Sequence, residues 1–233
     1  MSFKGSVISL SLQKNVVSGE DPMDRPSAVI YMRSERLGGR ELGLAKIVGK
    51  PVIEYVLEAI PDEVEDLIIA VEGDGDLEAY SEVADKYFAQ VLRSERFEEG
   101  ARKLIEFAVE NVQGDRVVVL PGDAPLLTRD FASFLLECSK KFKAVLPRSP
   151  SRRAVYLMAA YQTKPFREAF SADPRASMDD VVKRVGGAIY LSSMSLRIFD
   201  EKLGMFFRVS STQDLKRAEK ILKTRKLRKL TEL

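Results

Sequence analysis

Alternating strand and helix patterns predict an α/β fold for this chain. Two short runs, 66–71 (DLIIAV) and 116–120 (RVVVL), are apolar without alternation, which is typical of strands buried on both faces of a parallel sheet. Segments with helical periodicity separate such runs, and successive β-α units imply parallel strands with helices on both faces. We therefore expect a three-layer, Rossmann-like sandwich around a mostly parallel, twisted sheet.

The chain up to residue 120 contains four strand patterns and three helix patterns. Short apolar runs predict strands at 28–32, 66–71, 89–92 and 116–120. Periodic apolar positions predict helices at 52–60, 77–88 and 97–112. Pro51 fits the first turn of its helix, because the amide it lacks would be unpaired there. Residues 73–76 (GDGD) predict a solvated turn rather than a calcium loop, since no further ligands follow.

The remaining elements are marked mainly by helix-capping residues. Short apolar runs predict strands at 144–146, 154–161, 188–191 and 206–209, and a short helix is expected at 164–170. Thr128, Ser177 and Ser211 are the expected caps of helices that run to 138, to 185 and towards the C-terminus. Glycine and proline break the pattern near residue 20, so we expect a flexible tail over 1–26 and one domain over 27–233.

Composition excludes several classes of protein. A net charge of +2 over 233 residues creates no strong field, and no apolar run reaches membrane-spanning length. We therefore expect neither a nucleic-acid nor a membrane partner, and a cytoplasmic location. A single cysteine excludes internal disulfides and cysteine zinc clusters, and the absence of histidine removes imidazole-based catalysis.

The stretch 28–51 (AVIYMRSERLGGRELGLAKIVGKP) is the most informative part of the sequence. A buried strand leads into a cationic loop with two adjacent glycines, an arrangement with which α/β proteins bind phosphate through backbone N–H groups and positive side chains. Arg33 and Arg36 could clamp a triphosphate, and Gly38 and Gly39 would allow its close approach. The alternative is a solvated turn whose charges nearly cancel.

Residues 36–51 resemble the signature of MobA-like nucleotidyltransferases, which include the molybdenum cofactor guanylyltransferases. The family loop reads approximately L-x-G-G-x-x-x-R-M-G-x-x-K-x-L, followed by G-x-P, and this chain keeps the arginine at Arg36 and a Gly-Lys-Pro ending at Pro51. The likeness extends to about Leu222 and implies a fold like that of the nucleotide-diphospho-sugar transferases.

The signature loop has diverged at several positions. Tyr31 and Met32 stand where the family has paired glycines, and Leu42 stands at its phosphate-binding lysine. Arg208 and Ser210 occupy the positions of the family's N-x-N, which orders a metal.

Asp123 follows the strand 116–120 and begins Asp-Ala-Pro. A carboxylate at the carboxyl end of a buried strand is a hard ligand suited to Mg²⁺, and the alternative is a helix cap. The matching aspartate of the family's D-x-P motif holds magnesium, so the resemblance implies that role here. In the common strand order 3-2-1-4, the first and fourth strands are neighbours, so Asp123 and the loop 33–39 would face one crevice.

The resemblance implies a Mg²⁺-dependent nucleotidyltransferase that moves a nucleoside monophosphate, GMP from GTP, onto a phosphorylated small molecule. Molybdopterin is the suggested acceptor, and adenosylcobinamide phosphate is the nearest alternative. Asp123 and Arg36 would be catalytic, with Asp123 holding the metal. Arg33, Arg36, Gly38 and Gly39 would bind the nucleotide phosphates.

A different hypothesis is a catalytically degenerate relative that acts as a binding or regulatory protein, which Met32, Leu42 and Ser210 favour. An NAD(P) oxidoreductase is disfavoured, because no G-x-G-x-x-G follows any strand pattern.

Two features of the sequence are explained neither by the transferase hypothesis nor by the binding-protein hypothesis. Arg148, Arg152 and Arg153 predict a charged surface loop, or else a contact with an anionic acceptor. The basic segment 216–229 predicts a docking helix rather than an RNA- or lipid-binding one.

Overall fold

The computed structural model describes residues 25–95 and 100–231. Its strands are β1 (Pro26–Met32), β2 (Arg36–Leu37), β3 (Arg40–Glu41), β4 (Lys46–Ile47), β5 (Lys50–Pro51), β6 (Asp66–Glu72), β7 (Gln90–Ser94), β8 (Arg116–Pro121), β9 (Ala144–Pro147), β10 (Ala159–Gln162) and β11 (Ala188–Leu191). Its α-helices are α1 (Val52–Leu57), α2 (Leu77–Ala84), α3 (Ala101–Asn111), α4 (Arg129–Ser139), α5 (Thr163–Ala172), α6 (Met178–Val185), α7 (Ser193–Leu196) and α8 (Thr212–Thr231). Short 3₁₀ helices lie at Leu42–Leu44, Asp85–Tyr87 and Gly204–Phe206.

Seven strands form one sheet in the order β11-β9-β10-β8-β1-β6-β7. The central strand β1 pairs in parallel with both β6 and β8, and β6 pairs in parallel with β7. Only β10 runs the other way, antiparallel to β8 and β9, while β11 is parallel to β9. The expected 3-2-1-4 order and the mostly parallel sheet are therefore confirmed. The carboxyl ends of β1, β8, β9 and β11 lie along the same edge.

Helices cover both faces of this sheet, as the three-layer prediction requires. Side chains of β1 alternate between two apolar clusters, with Ile30 and Met32 in one and Val29 and Tyr31 in the other. Helices α1, α2 and α4 contribute to the first cluster, and α3, α5 and α6 to the second. Each strand of the centre therefore buries both of its faces, which explains why its sequence shows no polar alternation.

A third, smaller cluster joins the loop after β1 to the C-terminal helix. Leu42, Ile47 and Val52 pack there with Val209 and, from α8, Ala218. Between β1 and α1 the chain forms two short hairpins, β2–β3 and β4–β5, that the sequence did not predict.

The predicted helix caps are confirmed. Thr128 accepts a hydrogen bond from the amide of Phe131 at 3.4 Å, Ser177 accepts one from Asp180 at 3.2 Å, and Ser211 accepts one from Asp214 at 3.2 Å. Each oxygen satisfies a backbone N–H that has no partner within its helix.

Two element predictions are wrong. Residues 206–209 form no strand, because Phe206 closes a 3₁₀ turn and the amide of Val209 donates to the carbonyl of Asp123 at 2.9 Å. The strand expected at 154–161 is limited to Ala159–Gln162, since Ala154 pairs with Arg148 in a tight return of the chain.

Two expected boundaries fall largely outside the described residues. Of the tail expected at 1–26, only Arg25 and Pro26 are described, and Pro26 already belongs to β1. The start expected for the third helix at residue 97 is likewise not described, and α3 follows Gly100, whose φ is 83°. In the described ranges, no helix combines the length and apolar character that crossing a membrane requires.

Candidate functional site

Asp123 lies where strand order predicted, at the carboxyl end of β8 beside β1. The amide of Gly122 donates to the carbonyl of Tyr31 at 3.0 Å, so the ends of the two strands remain paired. Asp123 is only 8% exposed. It does not cap the following helix, because Thr128 fills that role. The carboxylate is therefore largely buried at the strand end and is not used for helix capping.

Arg208 compensates the charge of this carboxylate. Its Nε donates to Oδ1 of Asp123, and its Nη1 donates to the hydroxyl of Tyr31 at 3.3 Å. The guanidinium carbon also lies 5.6 Å from the centroid of the Tyr31 ring. The side chain of Asp123 is 11% exposed and that of Arg208 is 35% exposed. These three residues form a partly buried charge cluster that sequence reasoning did not predict.

The electrostatics of the cluster keep Tyr31 neutral. Burial raises the pKa of Tyr31 to about 12, although Arg208 acts in the opposite direction. Burial alone would lower the pKa of Arg208, but Tyr31 and Asp123 reverse the direction, and the pKa is raised. At neutral pH Tyr31 is therefore a neutral phenol and Arg208 is a guanidinium cation.

Met32 fills the space between two glycines at the same edge. A Cβ atom placed on Gly122 would lie 2.0 Å from the Sδ of Met32, and one placed on Gly43 would lie 2.7 Å from its Cε. Met32 is 1% exposed. A side chain therefore occupies the region next to the strand end where the family signature has paired glycines.

The predicted phosphate loop separates into two parts. Arg33 follows the end of β1 directly and contacts Glu35 at 3.6 Å, with a side chain that is 57% exposed. Arg36 contacts Glu41 at 3.6 Å and has a side chain that is 64% exposed. No contact between Arg36 and Asp123 occurs in the part of the chain that the structure describes.

Gly38 and Gly39 form the turn between β2 and β3. Their φ angles are 59° and 83°, which is the left-handed region that favours glycine. A Cβ atom on either glycine would have no neighbour within 4 Å, so both backbones are open to a ligand. Whether they contact phosphate stays a prediction, since the turn alone requires glycine there.

Glu41 and Leu42 follow this turn and are both buried. Leu42 is 0% exposed and belongs to the third apolar cluster, so no charge replaces the family lysine at that position. Both carboxylate oxygens of Glu41 lack a hydrogen-bond donor among the described residues, and its ion pair with Arg36 is long. Burial raises the pKa of Glu41, while Arg36 lowers it less.

The residues present do not fit Mg²⁺ at Asp123 as they are arranged. Mg²⁺ binds proteins through one or two carboxylates, with substrate phosphates and waters completing an octahedron. Here Arg208 already holds the carboxylate of Asp123. Moreover, the described residues contain no group of three or more side chains of the metal-binding types that could hold an ion.

The strand order and pairing define an α/β domain with a Rossmann-like sheet, and Asp123 lies at the carboxyl end of its strand β8. The chain belongs to the MobA-like NTP transferase domain family, whose model matches residues 33–188.

Relatives agree with this assignment at low sequence identity. The molybdenum cofactor guanylyltransferase of Shewanella amazonensis is 25% identical over 150 residues, which cover 63% of this chain and 74% of the relative. A probable molybdenum cofactor guanylyltransferase of Methanothermobacter thermautotrophicus is 25% identical over 201 residues, which cover 83% and 98%.

Solved structures show the same fold. The molybdopterin-guanine dinucleotide biosynthesis protein A of Archaeoglobus fulgidus superposes with a TM-score of 0.58 at 21% identity, covering 84% of this chain and 99% of that one. A CMP:2-keto-3-deoxy-manno-octonic acid synthetase solved with CTP superposes with a TM-score of 0.61 at 13% identity. The superposition covers 87% of this chain and 100% of the synthetase. The expected nucleotide-diphospho-sugar transferase-like fold is thereby confirmed.

Proposed function

We propose that this chain transfers a nucleoside monophosphate, GMP from GTP, onto a phosphorylated small molecule of the molybdopterin type. The observation that carries the proposal is the position of Asp123 beside the end of β1, where the loop with Arg33 begins. The names of the two guanylyltransferase relatives support GTP and a molybdopterin-type acceptor.

The transfer needs no histidine. An oxygen of the acceptor phosphate attacks the α-phosphorus of GTP, the bond to the β-phosphate oxygen breaks, and pyrophosphate leaves. The attacking oxygen is already ionised, so no base has to remove a proton. What the protein must supply is positive charge and alignment of the reacting groups.

Arginines and open backbone would supply that charge and alignment. Arg33 and Arg36 flank the loop after β1, and the backbones of Gly38 and Gly39 are unobstructed. A guanidinium fork matches the oxygens of phosphate in pairs, which fixes orientation as well as charge. Magnesium dependence stays a prediction from the family resemblance. The ion would need Arg208 to leave Asp123, so we derive no step through it.

Calorimetric titration with GTP, ATP and CTP, each with and without Mg²⁺, tests the proposal. We expect GTP to bind most tightly and Asp123→Asn to weaken that binding. Asp62→Asn is a matched control, because the Asp62 side chain is 87% exposed and pairs only with Arg129 among the described residues. Pyrophosphate release in the presence of a phosphorylated acceptor then measures transfer itself. No nucleotide binding at millimolar concentration would refute the proposal.

A second candidate is a degenerate relative that binds a ligand without transferring a nucleotide. Met32 between Gly43 and Gly122 favours it, as does the buried Leu42 at the position of the lysine. Nucleotide binding without any pyrophosphate release would support this candidate over the first.

A further inference from the structure

The charge cluster at Asp123 is already neutral overall. A buried carboxylate is costly unless it is paired, and Arg208 provides the pairing through Nε. The phenol of Tyr31 holds the same guanidinium through its hydroxyl, at 3.3 Å, and through its ring. The cation is thus fixed from two sides at the end of β1.

We infer that the guanidinium of Arg208 takes the place of a divalent cation at Asp123, so that phosphate is bound at this edge without metal. That the phosphate belongs to a nucleotide rests on the proposed function. A guanidinium has five N–H donors, and the contacts to Asp123 and Tyr31 use only two nitrogens. The side chain is 35% exposed, which leaves donors accessible to phosphate oxygens.

Manganese binding tests this inference without any nucleotide. Electron paramagnetic resonance of Mn²⁺ should detect no site that depends on Asp123 in the native chain. Arg208→Gln frees the carboxylate and should create one when inorganic phosphate is added, because phosphate oxygens then complete the ligand set. Arg217→Gln is the control, since Arg217 is exposed and lies over the ring of Phe207. Mn²⁺ bound by the native chain and released by Asp123→Asn would overturn the inference.

Nucleotide titration gives an independent readout. The native chain should bind GTP equally well in chelator and in Mg²⁺, whereas Arg208→Gln should bind about tenfold more weakly in chelator and recover in Mg²⁺. Arg208→Lys keeps the positive charge but loses the planar guanidinium. Its affinity for GTP in chelator should lie between those of the native chain and Arg208→Gln. GTP binding that requires Mg²⁺ in the native chain would overturn the inference. The manganese experiment uses no nucleotide, so its result tests the role of Arg208 even if the proposed function fails.

A second inference concerns a cationic cavity at the ends of β9 and β11. The cavity has a volume of about 550 Å³, and its lining includes Arg148, Arg152, Arg197, Tyr190, Ser149 and Ser193. We call it the arginine groove. No carboxylate is among its lining residues, so none inside the cavity offsets the charge of the three guanidinium groups. Three uncompensated cations around one cavity favour an anionic occupant.

The groove also offers a flat surface beside its charges. The guanidinium carbon of Arg148 lies 4.8 Å from the centroid of the Tyr190 ring, and Tyr190 is 40% exposed. The hairpin that carries Arg148 is fixed to β11, because the Arg148 amide donates to the carbonyl of Leu191 at 2.8 Å. The amide of Arg152 donates to the carbonyl of Ser149 at 2.8 Å, which closes the turn.

We propose that the arginine groove binds the far end of the acceptor, an anionic group carried on a planar ring. This rests on the proposed function for the acceptor's role. Neighbouring strands lie about 4.8 Å apart, so β9 and β11 lie about 10 and 14 Å from β8 along the sheet edge. An acceptor whose phosphate reaches Asp123 would therefore need a second anionic end about 10–14 Å from that phosphate to reach the groove.

Phenyl phosphate, inorganic phosphate and benzyl alcohol are the probes, titrated calorimetrically. Phenyl phosphate should bind most tightly, because it combines charge with a ring. Arg148→Ala and Arg152→Ala should each weaken it about tenfold, and Arg175→Ala, on the exposed turn between α5 and α6, should not. Equal weakening by Arg175→Ala, or no binding of phenyl phosphate at millimolar concentration, would overturn the proposal.

The same titration in Asp123→Asn distinguishes the groove from the proposed transfer. Phenyl phosphate binding should persist in that variant, since the groove does not include Asp123. Groove binding without any nucleotide binding would keep the groove and refute the transferase.

Discussion

Replacing Met32 by alanine should destabilise the fold and open the candidate site at once. The side chain is 1% exposed, and it is wedged against the backbones of Gly43 and Gly122. Truncation of a buried methionine to alanine costs about 2–5 kcal/mol, and more where the surroundings cannot collapse. The neighbouring side chains, Tyr80 and Ile30, are themselves fully buried and can shift little, so we expect the upper part, about 3–5 kcal/mol.

Thermal unfolding measures this cost. For a chain of this size, each kcal/mol lowers the melting temperature by about 2–4 °C, so the expected fall is roughly 6–20 °C. Met194→Ala is the matched control, because that methionine is 73% exposed and its truncation removes little buried surface. GTP titration of the Met32→Ala variant gives a second measurement. We expect tighter GTP binding although the melting temperature falls, because the space that Met32 filled becomes open to phosphate.

Either of two results would contradict this reasoning. A melting temperature equal to that of the native chain would mean that Met32 does not fill the space between the glycines. A loss of stability accompanied by weaker GTP binding would mean that the filled space is no part of a phosphate site.

Three further changes have expected outcomes. Gly122→Ala should destabilise the chain because its Cβ would lie 2.0 Å from the Sδ of Met32, and the double variant with Met32→Ala should lose less than the sum of the two in chemical unfolding. Thr128→Ala should cost about 1 kcal/mol in the same assay, since it removes the cap of α4. Burial raises the pKa of Glu41, so the folded state holds that proton more tightly and the free energy of unfolding falls as pH rises through this pKa. Glu41→Gln should therefore raise the melting temperature at neutral pH and by less in acid; an equal gain at both pH values would contradict it.

The sheet was predictable because its central strands bury both faces. Residues 66–71 and 116–120 had to be strands of a parallel sheet, and strand order then placed Asp123 beside the loop after β1. The pattern at 206–209 misled for a physical reason. Val209 is fully buried, but it packs in the third apolar cluster with Leu42 rather than in the sheet.

The partner of Asp123 could not be predicted in the same way. Arg208 is 85 positions further along the chain, and neither periodicity nor spacing couples the two residues. The only signal is its place at the first asparagine of the family's N-x-N. An arginine at a position where the family orders a metal indicates that the charge around the metal site has changed. Only the fold shows that the guanidinium of Arg208 contacts the carboxylate of Asp123.

The C-terminal helix α8 contacts both the loop after β1 and the chain segment after β8. Through Ala218 it packs on the loop residues Leu42 and Ile47, and Arg225 donates to the carbonyl of Leu126, just beyond Asp123, at 3.1 Å. Arg225 also pairs with Asp200 at 2.7 Å. Removing α8 would therefore remove packing from two segments that are distant in sequence, the loop after β1 and the chain after β8. A bulky fusion that displaced α8 would disturb both segments.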